Sequence, residues 1–144
     1  MSSSLLTYRK KSFWVHNAIA EVWFYSFVQT ALAEPAMPAW LRGMVDDISP
    51  ALDAAWIDGV AMNAFDDHLT SSERLEFFLP LMMKINTALL SKASTGRVVS
   101  VDKFDAASEF LIPEVQMIEA LFLRPESIHE PWKIFTVPHG WCVA

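Results

Sequence analysis

One cysteine in 144 residues, Cys142, rules out an intramolecular disulfide and suits a reducing compartment or an unpaired surface thiol. Glycine is nearly as scarce. The four glycines, at 43, 59, 96 and 140, are too scattered to form the clustered loop that cradles phosphate ahead of a helix, so nucleotide binding has no support. The opening MSSSLLTYRKK has no apolar run followed by a small-residue cleavage site, so no signal peptide is expected. Repeats, low-complexity tracts and a dividing linker are all missing, which points to a single domain over residues 1–144. The longest apolar stretch, Phe13 to Ala33, reaches membrane length but carries His16, Asn17, Glu21, Gln29 and Thr30. So many polar groups are rare in a bilayer helix, and the stretch reads as the buried helix of a soluble protein.

Positive charge is scarce in the middle. Residues 34–77 hold nine acids against Arg42 and Arg74, a balance of −7 within a chain whose net charge is −6. Residues 1–33 carry +2 and residues 78–144 carry −1. A field of that sign repels phosphate backbones and argues against nucleic acid as a direct ligand.

Apolar residues are abundant, 53% of the chain with six Trp and ten Phe. Such a content fits either a dense core or a surplus apolar face for a partner. The periodicity is helical almost throughout. Phe13, Ala20, Trp23, Phe24, Phe27, Val28 and Ala31 make one stripe, which predicts a central helix over Ser12–Ala33, broken by Pro35 and Pro38. A helix over Pro38–Ile48 should end where Ser49-Pro50 caps and starts the next, with Leu52, Trp56 and Val60 on one face. Thr70-Ser-Ser-Glu73 reads as a capping box. Behind it Leu75, Phe78, Met82, Ile85 and Leu89 keep the clearest helical period of the chain, with a kink expected at Pro80. Ser91–Val99 reads as a loop, and Asp102 as the cap of a helix bearing Phe104, Leu111, Val115 and Ile118, interrupted by Pro113 and ended by Arg124-Pro125. Ile134–Val137 and Trp141–Val143, around Pro138-His-Gly140, can pair as a short hairpin. The expected fold is all-α: about five helices and a short C-terminal β-hairpin.

Catalytic and metal chemistry find little footing. Asp66-Asp67-His68 is the best cluster, yet adjacent residues point apart and no second histidine stands at ligand spacing. Two acids at a helix N-terminus are explained by its dipole. Glu73 with Glu76, and Asp102 with Asp105, fall in expected first turns and have the same explanation. His16-Asn17 with the distant Cys142 lacks anything that would lower a thiol pKa. His129 and His139 each fit a surface residue or a hydrogen-bonded corner, and nothing chooses between the two. Trp23 and Trp56 read as core, while Trp40, Trp132 and Trp141 could anchor an interface. No metal and no cofactor are expected.

What remains is the acidic set Asp46, Asp47, Asp53, Asp58, Asp66, Asp67, Glu73 and Glu76. Either these are solvated helix faces and caps, or they form a surface complementary to a basic protein.

Tyr8-Arg-Lys-Lys-Ser-Phe-Trp-Val-His-Asn-Ala-Ile-Ala-Glu-Val-Trp, Trp40-Leu-Arg-Gly and the segment ending Asp66-Asp67-His68-Leu69-Thr70 resemble small bacterial proteins, over about residues 8–90. Some of those are similar to immunity proteins of contact-dependent inhibition and related polymorphic toxin systems. The resemblance implies a cytoplasmic, non-enzymatic antidote that binds one cognate toxin domain and occludes its active site. Immunity proteins share no universal motif, so it assigns no residue a role by position. Two other classes compete with it. One is a homodimeric structural or adaptor protein whose apolar surplus is a self-interface. The other is a small enzyme or metal-binding protein with a site built from Asp66, Asp67, His68 and a distant residue.

Overall fold

In a computed structural model of the chain, residues 2–128 are described. The expected C-terminal hairpin lies outside them, as do Cys142, His129, His139, Trp132 and Trp141. Among the described residues 65% are helical and 16% lie in strands, with six helices and two short antiparallel hairpins. The all-α expectation is therefore wrong. The protein is mixed, though largely helical: β2 falls largely in the expected first helix and the second hairpin at the expected loop and the start of the last expected helix, while β1 occupies a stretch for which the pattern predicts no element.

The first hairpin joins β1 (Ser3–Tyr8) to β2 (Lys11–His16), with Leu6 opposite Phe13 and Leu5 opposite Trp14. Ser4, Leu6 and Tyr8 alternate inward on β1, and Phe13 and Val15 on β2, as the period of two requires. The connection is Arg9-Lys10, both with positive φ (50° and 70°), which is the twist a two-residue hairpin turn needs. Five residues of the expected first helix, Ser12 to His16, thus belong to a strand.

Helix α1 (Asn17–Leu32) is central, packed by α2 (Ala39–Asp53), α5 (Ser72–Ser94), α6 (Ser108–Leu123) and both hairpins. Trp23 lies at the core's centre, fully buried, with its ring against Phe24, Phe27, Phe65 and Phe78. Its indole N–H donates to the Oδ1 of buried Asn86 at 2.8 Å, and the Asn86 amide donates to Met82 Sδ at 3.1 Å. A buried Trp needs such an acceptor.

Helix α2 does not stop at Ser49. It runs through Pro50 to Asp53, because Leu41, Met44, Val45, Ile48, Ala51 and Leu52 keep one buried face across the proline. Burial there outweighs local preference. Two short helices follow, α3 (Asp58–Ala61) and α4 (Ala64–His68).

The five periodic residues of α5 pack inward as expected, with Pro80 inside the helix and exposed. Its cap is Ser71, not Thr70: the Ser71 hydroxyl accepts from the Arg74 N–H at 3.2 Å. The second hairpin pairs β3 (Val98–Val101) with β4 (Phe104–Ala107). Asp102, expected as a helix cap, is in its turn at φ 54°, and α6 begins only at Ser108. Arg124-Pro125 ends α6 as expected.

Candidate functional site

The acidic middle of the chain folds as α2, α3 and α4, three elements in mutual contact, of which α3 and α4 also meet β1. The joint between α2 and α3 gives the surface its character. Ala55 adopts φ 55°, a left-handed conformation that ends the ladder of α2. Trp56 is thereby turned away from the face of Leu52 and is 61% exposed, so the expectation that it belongs to the core is wrong. Its indole lies over Gly59. A Cβ built on Gly59 would come within 2.5 Å of the Trp56 ring, so only glycine accommodates the indole in this position.

Beside Gly59 opens a cleft of about 160 Å³ between α2 and α4. Asp47 of α2 and Asp67 and His68 of α4 supply its charged and titratable wall. His68 Nε2 lies 2.6 Å from Asp47 Oδ2, and because a carboxylate only accepts, the ring nitrogen donates. The other Asp47 oxygen and the Asp67 carboxylate find no hydrogen-bond donor among the described residues. Ile48, Val60 and Ala64 form the apolar part of the wall, and Asn63 adds an amide.

All eight acids singled out from the sequence are exposed. The structure brings only Asp47 and Asp67 into the cleft. Asp46 pairs with Arg42 at 3.3 Å on the outer surface of α2, where both side chains are solvated and the pair contributes little. Asp53 ends α2 and Asp58 opens α3, on either side of Trp56. Asp66 turns the other way and accepts the Arg9 backbone N–H at 2.9 Å, fastening α4 to the β1–β2 turn. Glu73 and Glu76, at the start of α5, lie outside the cleft wall. Asp66 and His68 therefore serve different partners. No group of three or more His, Cys, Asp or Glu among the described residues could hold a metal ion.

Residues 43–73 contain no lysine or arginine, and the two bases flanking them are engaged. Arg42 is held by Asp46. Arg74 is half-buried, donating from Nη1 to the His68 carbonyl at 3.0 Å, with its guanidinium over the Trp40 ring.

His16 reads from the sequence as a partly buried structural histidine, and the structure agrees, but its partner and the surroundings of two further residues escaped the sequence reading. His16, at the end of β2, is clamped by Glu114 of α6 through its backbone N–H at 2.7 Å and its ring Nδ1, with Phe110 against the ring. Glu21 of α1 is half-buried, and burial pushes its carboxyl above the ordinary range while Lys103 pulls it part of the way back. Burial likewise raises the Tyr8 phenol, against the opposing pull of Arg9, and Asp66 adds to the rise. Only long-range packing identifies these groups.

No protein-family model, curated protein or solved structure matches the chain. No helix of the described residues is long and apolar enough to cross a membrane.

Proposed function

We propose that this protein works by binding a basic protein domain on the face made by α2, α3 and α4. In its specific form the reading is that of a cytoplasmic immunity protein, which neutralises a cognate toxin domain by covering its active site and performs no reaction itself. The general part rests on one observation. Exposed Trp56 stands between Asp53 and Asp58 in a stretch of 31 residues, 43–73, that contains no lysine or arginine. An exposed aromatic flanked in the chain by like charges is what a docking partner of opposite sign fills: the ring anchors, and the field steers. The toxin-specific part rests on the resemblance of residues 8–90 to immunity proteins.

Surface plasmon resonance against candidate toxin domains of basic charge tests it, at two salt concentrations. Opposite fields raise association rates by roughly 10- to 1000-fold and lose that gain in salt. The double variant Asp66→Lys, Asp67→Lys should associate more slowly and with a flatter salt dependence. Trp56→Ala should act mainly on dissociation. A folded double variant with an unchanged on-rate at low salt would return the acids to solvated helix faces.

A further inference from the structure

We propose that the cleft between α2 and α4 receives a single arginine side chain of the partner, with the guanidinium between Asp47 and Asp67. This rests on reading the α2–α4 face as a docking surface, and it names the anchor. The cleft is a shaped cavity of about 160 Å³ whose wall changes character. Val60 and the edge of Ala64, with buried Ile48 beneath them, offer contact for an aliphatic stem, and Asp47 and Asp67 offer acceptors for a cationic head. His68 holds only one oxygen of Asp47, so three carboxylate oxygens still lack donors among the described residues. A small ammonium ion would leave the apolar wall uncovered, and the donor set lacks the grouping a metal ion needs.

Arginine suits the site better than lysine. Its planar fork of five donors can meet two carboxylates at once, and its weaker hydration makes it easier to move out of water. Independently of the acids, the surroundings favour a protein as the source of that side chain. Trp56 and Met62 are 61% and 45% exposed, one lying on Gly59 of the cleft wall and the other two residues beyond Val60. A free amino acid would leave both in water, whereas a protein surface carrying the arginine would cover them.

The test is nuclear magnetic resonance on the ¹⁵N-labelled full chain at low salt, titrated with N-acetyl-arginine amide. The corresponding lysine and norleucine amides serve as probes of charge alone and of stem alone. The arginine probe should shift the amides of Gly59, Val60, Asn63 and Ala64 saturably and bind several-fold more tightly than the lysine probe. The norleucine probe should not bind. Asp67→Asn should weaken the arginine probe by about tenfold or more, the scale of one charge-assisted hydrogen bond. Asp53→Asn, outside the cleft, should change it by less than about twofold. Shifts that never saturate, equal binding of arginine and lysine, or equal losses in the two variants would overturn the proposal. The comparison of probes on the unaltered chain decides the matter even if a variant does not fold. Arginine amide in the cleft with no toxin domain binding the face would keep this assignment and remove the proposed function. A toxin domain that binds the native chain and Asp67→Asn alike, with arginine amide bound elsewhere, would remove this assignment alone.

Discussion

The Glu114 carboxylate of α6 takes both the backbone N–H and the ring Nδ1 of His16, a residue 98 positions earlier in the chain. It is the clamp that fixes the end of the first hairpin to the last helix described. Glu114 is only 14% exposed, so water replaces it poorly once it is gone. Glu114→Ala should therefore cost about 1–3 kcal/mol, the range for stranding a buried donor. Glu114→Gln keeps an acceptor for the backbone N–H and should cost less. Urea midpoints measure both, and an alanine variant as stable as the native chain would show that the clamp is idle.

The pairing of Trp23 with Asn86 leads to a second expectation. In Asn86→Leu the indole N–H stays buried and loses its only acceptor among the described residues. Leucine fills a similar volume, so the loss should come from the hydrogen bond rather than a cavity, at about 1–3 kcal/mol. Thermal melting reads it. A gain in stability would mean that the apolar replacement outweighs the bond.

Helix capping separates two neighbouring residues. Ser71→Ala removes the acceptor for the Arg74 N–H and should cost about 0.5–2 kcal/mol, whereas Thr70→Ala, one residue outside the cap, should cost almost nothing. The reverse order in melting midpoints would place the helix start at Thr70.

How far the fold was legible depended on punctuation as much as on pattern. The core face of α5 could be read because five apolar residues held one helical period over fifteen positions, and all of them pack inward or against the core. Both described hairpins were missed for a shared reason. Their turns, Arg9-Lys10 and Asp102-Lys103, contain no glycine, asparagine or proline, although three of the four residues adopt positive φ. Phe13 and Val15 lie two apart, yet Phe13 also fits the helical stripe running on to Trp23, so the strand was absorbed into α1. At Ser49-Pro50 the error ran the other way, where a strong local stop was overridden by burial on both sides of it. The acidic face was visible as charge. Its cleft was not, because the contact of Asp47 with His68 spans 21 residues and nothing local announces it.

Acidity should act through Glu21. Its folded pKa lies above the unfolded one because it is half-buried, so the fold binds that proton more tightly than the unfolded chain does. Its contribution is therefore most favourable below the unfolded value and declines as pH rises through the folded one. At neutral pH the charged carboxylate is a net burden, lightened by Lys103. Glu21→Gln should raise the melting midpoint at neutral pH, with the advantage vanishing in acid. A lower midpoint at neutral pH would mean that Lys103 outweighs burial.

The last prediction sets stability against surface shape at Gly59. The residue is inside α3 and does not adopt positive φ, so alanine there should gain up to about 1 kcal/mol in helix propensity. The new Cβ, however, would sit 2.5 Å from the Trp56 ring. That ring is 61% exposed and can swing outward at little cost, so the collision moves the indole rather than unfolding the helix. Gly59→Ala should thus melt within about 1 kcal/mol of the native chain. It should also move the Trp56 indole N–H resonance and speed dissociation of a bound basic domain, as expected when a central aromatic anchor is misplaced. An unmoved indole resonance would show that the ring does not rest on Gly59. A moved resonance with unchanged dissociation would place the contact with the partner away from Trp56.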